Sequence, residues 1–325
     1  MPTTANPDGV VVGVDVGGTK VAAGFVGRDG KILSQVRTPM VGHGAAADGL
    51  AAVTSAIDTL LAAGAKQPST ILGIGICAPG PLDPASGIVI NPPNLPCWRN
   101  FPLASEISRV YGVPVKLDND ANAAGLAEAL WGAGRGYRSV FYATIGTGIG
   151  TGLVFDRSVY HGRTGAAGEG GHMTIDYRGP LCGCGKRGCI ETLASGGAIS
   201  GRARARLARD PARASQLRDL AAGDIEAVTC EMVGQASLAG DPLAREILAE
   251  TVELLSAWLS NIVDLLEPDV MIIGGGVSSM LKPYFGEIHE RLSTSCVNTR
   301  SGEIPLLPAC YGADAGVAGG AALCF

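Results

Sequence analysis

Residues 10–26 read VVVGVDVGGTKVAAGFV, two runs of small and β-branched apolar residues on either side of a glycine pair. The first run predicts a buried strand that ends at Asp15, and residues 21–26 predict a second strand. The pair Gly17-Gly18 is typical of a hairpin turn between such strands. The stretch therefore predicts an antiparallel hairpin with a carboxylate at the end of its first strand.

The residues that follow add a third strand and then alternate strands with helices. Asp29-Gly30 marks a second turn, so the chain is expected to begin as an antiparallel meander. Further strands are predicted at 31–37, 71–76, 113–117, 139–145 and 270–273, and helices at 46–65, 121–130, 242–266 and 312–325. This order predicts an α/β fold with a mixed sheet in each half of the chain.

A second glycine turn follows the strand predicted at 139–145. Residues 146–152 read GTGIGTG, and a returning strand is predicted at 153–155. Glycine turns of this kind expose backbone N–H groups that cradle phosphate oxygens. Neither glycine turn opens a helix, as the P-loop and the dinucleotide-binding fingerprint require. Two such turns, together with Gly274-Gly275-Gly276 after another buried strand, predict nucleotide binding.

Asp15 lies at a predicted strand end beside the first glycine turn. A carboxylate in this place is suited to hold the Mg²⁺ ion that neutralises nucleotide phosphates. The alternative is an aspartate that caps the turn. The neighbouring glycine turn favours the role in binding magnesium.

Length and composition describe a globular chain with room for two domains. Of its 325 residues 46% are hydrophobic and 17% charged, and the formal net charge is −5. The acidic balance argues against a nucleic-acid partner, although 202–218 is a basic stretch that is predicted to be a solvated helix face. The first residues, MPTTANPDGV, lack the regions of a secretory signal, and no apolar run reaches the length of a membrane span. We expect a cytoplasmic protein.

Four soft metal ligands lie in the segment 168–191, GEGGHMTIDYRGPLCGCGKRGCIE. His172 precedes Cys182, Cys184 and Cys189, and one histidine with three thiolates is a complete tetrahedral set for a structural zinc. The glycines between the cysteines are expected to supply backbone with positive φ. A redox pair or a disulfide is the alternative, and the reducing compartment expected for this chain favours the metal.

These motifs together resemble the ROK family of sugar kinases. The resemblance rests on DVGGTK at 15–20, DNDANAA at 118–124, TIGTGIGTG at 144–152, GEGGH at 168–172, CGCGKRGCIE at 182–191 and GGG at 274–276. It implies a fold like those of hexokinase and actin, with two α/β domains around a central cleft. The smaller domain is expected to contain residues 1–118 and about 311–325, and the larger domain residues 119–310. ATP, a sugar and a second copy of the chain are the implied partners.

The resemblance also implies roles for individual residues. Asp120 matches the family's catalytic base, which accepts the hydroxyl proton in phosphoryl transfer. Its helix N-terminus is expected to keep it ionised, and a plain helix cap is the alternative. The sugar is expected to contact Asn94, Asn119, Asp120, Glu169, His172 and Glu191. The nucleotide and its Mg²⁺ are expected to contact Asp15, Gly17, Gly18, Thr19, Lys20, Thr144, Gly146, Thr147, Gly148, Gly274, Gly275 and Gly276.

The reaction that the resemblance implies is phosphorylation of a hexose at its 6-hydroxyl, with glucose as the expected substrate. Kinases for N-acetylmannosamine, N-acetylglucosamine or fructose are the alternatives, because these sugars share the hydroxyls that the motifs contact. Gly170 and Cys97 depart from residues common in the family and are expected to lie close to the sugar. A sugar-responsive repressor is a further alternative. In such repressors a helix-turn-helix precedes the kinase-like part, and with Asp15 so early in this sequence we expect none here.

Overall fold

Strands and helices alternate in the computed structural model, which describes residues 9–64 and 71–325. The strands are β1 Val10–Val16, β2 Lys20–Val26, β3 Ile32–Pro39, β4 Ile71–Ala78, β5 Leu82–Asp83, β6 Ile88–Val89, β7 Val115–Asn119, β8 Ser139–Ile145, β9 Ile149–Phe155, β10 Ser158–Val159, β11 Val270–Gly274 and β12 Leu306–Pro308. The helices are α1 Ala46–Ala63, α2 Leu103–Tyr111, α3 Asp120–Leu130, α4 Ile190–Ala194, α5 Gly196–Arg209, α6 Gln216–Leu220, α7 Cys230–Leu238, α8 Pro242–Leu266, α9 Ser278–Leu281, α10 Phe285–Ser295 and α11 Ala315–Ala322.

The larger sheets of the described residues are both five-stranded and mixed. The first has the order β3-β2-β1-β4-β7, in which β1, β2 and β3 are antiparallel neighbours and β4 pairs in parallel with β1 and β7. The second has the order β10-β9-β8-β11-β12, with β9 and β10 antiparallel and β11 and β12 parallel. The predicted meander and the predicted α/β class with mixed sheets are therefore confirmed.

The first sheet is covered on both faces, as its uninterrupted apolar strands predict. Alternate valines of Val10–Val16 point into the core that the sheet forms with α1 and α2, whereas Val11 packs on the opposite face with Val317 of α11. Helix α11 lies so close to β1 that a Cβ atom on Gly13 would be 1.9 Å from the Val317 carbonyl oxygen. The small residues at the end of the chain thus allow a close helix-to-sheet contact.

Helix α1 is the one described helix that is long and apolar enough to cross a membrane, a test that core helices of soluble proteins also pass. Its side chains Val53, Ile57 and Leu60 are fully buried in the core of the first sheet. The helix packs on β2 and β3. It is accordingly a core helix. The predicted helix ran to residue 65, which lies outside the described residues.

The long helix α8 begins where the sequence predicts. Asp241 accepts a hydrogen bond from the N–H of Ala244 at 2.8 Å, and proline occupies the first helical position. Helices α4, α5, α7 and α10 pack against α8. Arg206, in the basic stretch predicted to be a solvated face, forms ion pairs with Glu246 and Glu250 of α8. Part of this basic stretch therefore joins two helices.

The chain divides into two compact units. The first unit contains the described residues up to Tyr142 with 152–168 and 310–325, and the second contains 143–151 and 169–309. The sequence predicts a boundary at 118/119, whereas the first unit extends past that point and includes the whole of α3. The reason is packing, because α3 lies against α11 at the end of the chain.

Both predicted glycine turns are present, but their lengths differ from the prediction. Strand β1 ends at Val16 and β2 begins at Lys20, so residues 17–19 form a turn that is longer than a two-residue hairpin. Strand β9 already begins at Ile149, so the second turn is 146–148 rather than 146–152. Gly152 is a strand residue, where a Cβ atom would be 2.8 Å from the Ala121 carbonyl oxygen. Its glycine serves close packing and not a turn.

Candidate active site

The first glycine turn brings predicted phosphate and sugar contacts together in the first unit. The N–H of Gly17 donates to the carbonyl of Lys20 at 2.9 Å, and Thr19 and Lys20 are exposed. A Cβ atom on Gly18 would lie 2.9 Å from the carbonyl oxygen of Asn94. Glycine is therefore needed at position 18 for the close approach of the segment that carries Asn94.

Asp15 is the one partly exposed residue of β1, whose other residues are buried, and it lies beside Cys77 of β4. The Cys77 thiol lies 3.7 Å from Asp15 Oδ1 and donates to the carbonyl of Gly316 at 3.2 Å. Burial raises the pKa of the Asp15 carboxyl, while the thiol hydrogen bond and the charge of Lys20 lower it. Mg²⁺ in kinases takes one or two protein carboxylates and completes its shell with phosphates and water. A single, partly exposed carboxylate at this strand end fits that donor set.

The junction between β7 and α3 carries Asn119 and Asp120. The side-chain oxygen of Asn119 is the helix cap: it accepts hydrogen bonds from the N–H groups of Ala121 at 2.9 Å and Asn122 at 3.4 Å. Asp120 is instead the first residue of the helix, and its carboxylate is exposed and accepts from Ala121 N–H at 2.8 Å. The sequence left open that Asp120 is a plain helix cap, but in the structure the cap is Asn119.

Asp120 is exposed as a residue, yet enough protein surrounds its carboxyl for burial to act on the pKa. Burial raises its pKa above the ordinary value, the hydrogen bond from Ala121 lowers it, and the charge of Asp15 raises it again. The sequence predicts that the helix N-terminus keeps this group ionised, and that influence is present but outweighed. A carboxylate whose pKa is raised toward neutrality is a better proton acceptor.

In the second unit, Glu191 lies against the second glycine turn. Its Oε2 atom accepts a hydrogen bond from the N–H of Ile149 at 3.0 Å. A Cβ atom on Gly148 would be 2.4 Å from the same oxygen, whereas one on Gly146 would meet no atom within 4 Å. The turn is closed by a hydrogen bond from the N–H of Gly146 to the carbonyl of Gly148 at 2.9 Å, and Thr147 at its tip is exposed. A predicted sugar contact and a predicted phosphate turn thus touch directly.

Glu169 precedes a short 3₁₀ turn, Gly170–His172, which ends at His172 and is held by two side chains. The N–H of Gly170 donates to the Thr151 hydroxyl at 2.8 Å, and the indole N–H of Trp258 donates to the Gly170 carbonyl at 3.1 Å. A Cβ atom on Gly170 would lie 2.8 Å from the Thr151 hydroxyl oxygen. Gly170 is therefore matched to the threonine beside it, which explains glycine at this position.

The four predicted metal ligands lie together in the second unit. One ligand atom from each of His172, Cys182, Cys184 and Cys189 falls within 4.8 Å of all the others. Cys184 Sγ is 3.7 Å from Cys189 Sγ, and Cys182 Sγ is 3.6 Å from His172 Nδ1. Tetrahedral zinc, with bonds of ~2.3 Å to sulfur and ~2.0 Å to nitrogen, would separate its ligands by ~3.8 Å and ~3.5 Å. The residues therefore fit zinc, and the sulfur separation is too long for a disulfide.

The loop that carries the cysteines needs glycine at two of its three predicted positions. Gly185 and Gly188 have φ of 89° and 60°, whereas Gly183 does not have positive φ. A Cβ atom on Gly188 would also be 1.6 Å from the Asp176 carbonyl oxygen. Cys189 is followed directly by α4, whose second residue is Glu191. The predicted metal ligands and the Glu191 carboxylate thus belong to one continuous segment.

A cavity of about 540 Å³ adjoins the second glycine turn within the second unit. Its lining includes Gly146, Thr147, Gly276 and the first two residues of α5, Gly196 and Gly197. Because a helix N-terminus attracts anions, this lining suits a nucleotide. Sequence reasoning missed the start of α5, although Ser195-Gly196-Gly197 before a helical run is a readable signal.

The remaining predicted nucleotide contacts do not all reach this cavity. Gly274 is the buried last residue of β11, and a Cβ atom on Gly275 would lie 2.4 Å from the Ile145 carbonyl oxygen. Thr144 is a partly exposed residue of β8 and is absent from the lining. Within the described residues, Gly276 is thus the member of the glycine triplet that lines the cavity.

Comparison with known proteins places the chain among sugar kinases and their relatives. The model of the ROK family matches residues 11–325. The glucokinase of Thermotoga maritima is 34% identical over 315 residues, which are 96% of each chain. The ROK family glucokinase of Streptomyces griseus, solved with glucose and AMPPNP, matches with a TM-score of 0.81 and 33% identity over 97% of this chain and 99% of its own.

A regulator has the same fold. The crystal structure of a ROK family transcriptional regulator matches with a TM-score of 0.85 and 26% identity, over 97% of this chain and 77% of the regulator. Fold alone therefore does not separate the kinases from the regulators. The family match extends over nearly the whole sequence, and the chain belongs to the ROK family.

Proposed function

We propose that this protein is an ATP-dependent sugar kinase that transfers the γ-phosphoryl group of ATP to the 6-hydroxyl of glucose. The observation that carries the proposal is Asp120. Its carboxylate is exposed at the start of α3, its pKa is raised, and the capping of the helix is done by Asn119. The glucokinases to which the chain is 34–37% identical over 83–96% of its length support glucose as the acceptor.

Asp120 acts as the general base in this proposal. It accepts the proton of the sugar hydroxyl as the oxygen bonds to the γ-phosphorus, and the bond between that phosphorus and the bridging oxygen of ADP breaks. The raised pKa of Asp120 favours proton transfer near neutral pH. Since Asn119 Oδ1 is used by the helix, its amide nitrogen is the group left to donate to a sugar oxygen.

Backbone groups and one carboxylate hold the nucleotide. The two glycine turns offer N–H groups to phosphate oxygens, and the adenosine part of ATP occupies the cavity beside Gly276. Asp15 would hold Mg²⁺, which supplies neutralisation of the phosphate charge. Lys20 is exposed next to the first turn, and its positive charge is close enough to Asp15 to lower the pKa of that carboxyl.

Sugar recognition is assigned to Asn94, Asn119, Glu169, His172 and Glu191. Carboxylates and amides pair with adjacent hydroxyls, and a site of this type discriminates strongly against analogues that lack them. A zinc ion held by His172 Nδ1 and the three cysteines would have a structural role. It would fix the orientation of the imidazole, whose other nitrogen then serves the sugar. A homodimer, which the family resemblance implies, and a cytoplasmic location stay predictions.

The experiment that tests the function is a substrate panel. Purified protein with Mg-ATP is expected to release ADP with glucose and to give glucose 6-phosphate, identified by a coupled dehydrogenase assay. Faster turnover of N-acetylmannosamine, N-acetylglucosamine or fructose would change the substrate and keep the reaction. Binding of a sugar without turnover of any of these, together with specific DNA binding, would favour the regulator that the related fold suggests.

A further inference from the structure

His161 follows β10 and reaches the base of the loop that carries Asp120. Its Nε2 atom is 2.6 Å from Oδ2 of Asp118, and both residues belong to the first unit. The Asp118 side chain is almost fully buried, with 3% of its surface exposed, whereas His161 retains 35%. Among the described residues, His161 is the one ion-pair partner of Asp118.

The other oxygen of Asp118 holds the junction between β7 and α3. Asp118 Oδ1 accepts hydrogen bonds from the N–H of Asn119 at 2.7 Å and from the side-chain amide of Asn122 at 3.1 Å. Asn119 in turn caps the helix whose first residue is Asp120. A chain of hydrogen bonds therefore runs from His161 through one buried carboxylate to Asn119, the residue directly before Asp120.

A buried carboxylate that loses its partner is strongly destabilised, and it regains stability by taking up a proton or by moving toward water. A proton taken up on Oδ2 weakens Oδ1 as an acceptor, and a movement toward water displaces it, so either change loosens the hydrogen bonds that fix Asn119 and Asn122. Small displacements of a catalytic group lower the rate of reaction steeply. Loss of the imidazole would therefore change the position of Asp120, although within the described part of the chain no hydrogen bond or ion pair joins His161 to Asp120.

We propose that His161 is a positioning residue for the catalytic base: as an imidazolium it neutralises Asp118 and thereby holds the β7–α3 junction in the geometry that phosphoryl transfer needs. This inference rests on the proposed kinase function. In this role His161 fixes the position of Asp120 and does not bind substrate, so its loss has a characteristic effect on the kinetic constants. The rate constant kcat should depend on His161 much more than KM does.

The His161 side chain lines a cavity of about 880 Å³ in the first unit, through which protons of the solvent reach the imidazole. The charged side chains that line this cavity with His161 and Asp118 are Asp83, Lys116, Arg157 and Arg163. The hydrogen bond to Asp118 raises the pKa of His161, although burial lowers it in part. The ion pair is therefore complete below this raised pKa and is lost as the pH rises through it. We expect a fall in kcat on the alkaline side.

The test compares two substitutions of His161. H161Q keeps a hydrogen-bond donor without charge, and H161R keeps a donor that is charged at every accessible pH. H289Q is the matched control, because His289 also makes one ring-nitrogen bond, at 3.0 Å to the Ile304 carbonyl. The measurements are kcat and KM for glucose and ATP across the neutral and alkaline range, with melting temperatures.

H161Q is expected to lower kcat roughly 10- to 100-fold with little change in either KM. H161R should retain more of kcat than H161Q and lack the alkaline fall, and H289Q should behave as the wild type. An unchanged kcat in H161Q, or an alkaline fall that persists in H161R, overturns the inference. A wild-type protein that phosphorylates none of the sugars overturns the proposed function as well, so the two failures are distinguishable.

Discussion

Oε2 of Glu191 accepts a hydrogen bond from the backbone N–H of Ile149 at 3.0 Å. This bond joins the segment 172–191, which carries the predicted metal ligands, to the second glycine turn. Glu191 stands two residues after the ligand Cys189, and Ile149 is the residue after the turn. A carboxylate fixed in this way loses little conformational entropy when a sugar hydroxyl binds it. In the proposed kinase, this bond thus fixes the position of a sugar-binding residue relative to a phosphate-binding turn of the second unit.

The contact between Gly148 and Glu191 predicts a separation of two kinetic effects. G148A introduces a Cβ atom 2.4 Å from Glu191 Oε2, so the carboxylate must move and we expect KM for glucose to rise roughly tenfold or more. G146A meets no protein atom within 4 Å and should raise KM for ATP instead, because its methyl group lies where phosphate approaches. Steady-state kinetics with each substrate varied will measure both. Equal effects of the two variants on KM for glucose would contradict this assignment.

The metal cluster predicts about one zinc per chain, bound by a set of ligands that supports sugar binding. C182S removes one thiolate and should lower the zinc content and the melting temperature, and raise KM for glucose roughly 10- to 100-fold. KM for ATP should change less. C310S is the matched control, since Cys310 is an exposed free thiol outside the cluster. If elemental analysis finds no zinc in active wild-type protein, the predicted structural role of zinc in this cluster is wrong.

The proposed role of Asp120 as the general base predicts that its substitution lowers kcat strongly and leaves the binding of glucose intact. D120N keeps the size of the side chain and removes its basicity, so kcat should fall roughly 10²- to 10⁴-fold while glucose still binds in a calorimetric titration. D219N is the matched control, because Asp219 is an exposed aspartate in the first turn of α6. A near-normal kcat for D120N would assign the base to another residue.

The local patterns of the sequence predicted part of the strands and helices, because these elements depend on neighbouring residues, whereas α2, α7 and α10 were not predicted. The apolar runs around Gly17-Gly18 gave β1 and β2, and Asp241-Pro242 gave the start of α8. Residues 182–189 supplied three of the four metal ligands at a spacing that only a tight loop can use. Periodicity, caps and ligand spacing are short-range signals, and these predictions rested on them.

The features that the sequence did not predict depend on residues far apart in the chain. Gly18 meets Asn94, Glu191 meets Ile149, and His161 meets Asp118 across 43 positions. The domain boundary shifted for the same reason, because the final helix packs on α3 and draws it into the first unit. Such pairs are set by sheet order and close packing, for which one sequence gives no direct signal.

The raised pKa of Asp120 predicts the position of the acid limb in a pH profile. A base must be deprotonated to act, so kcat/KM falls as the pH drops through its pKa. Because burial and the Asp15 charge raise that pKa, the fall should occur above the ordinary aspartate value of about 4. D15N removes the charge, so the limb of its residual activity should move to lower pH. A limb that stays in place would mean that Asp15 does not act on Asp120.

The match between Gly170 and Thr151 predicts a coupled pair of substitutions. G170A places a Cβ atom 2.8 Å from the Thr151 hydroxyl oxygen and 3.1 Å from its methyl carbon. The 3₁₀ turn that carries His172 must then shift, so KM for glucose should rise more than kcat falls. T151A alone leaves the Gly170 N–H without its acceptor, which costs about 1–3 kcal/mol, yet it also makes room for the added methyl group. In a double-mutant cycle, G170A should therefore be less harmful in the T151A background than in the wild type. Additive effects on KM would show that the two side-chain positions act independently and that glycine at 170 has another cause.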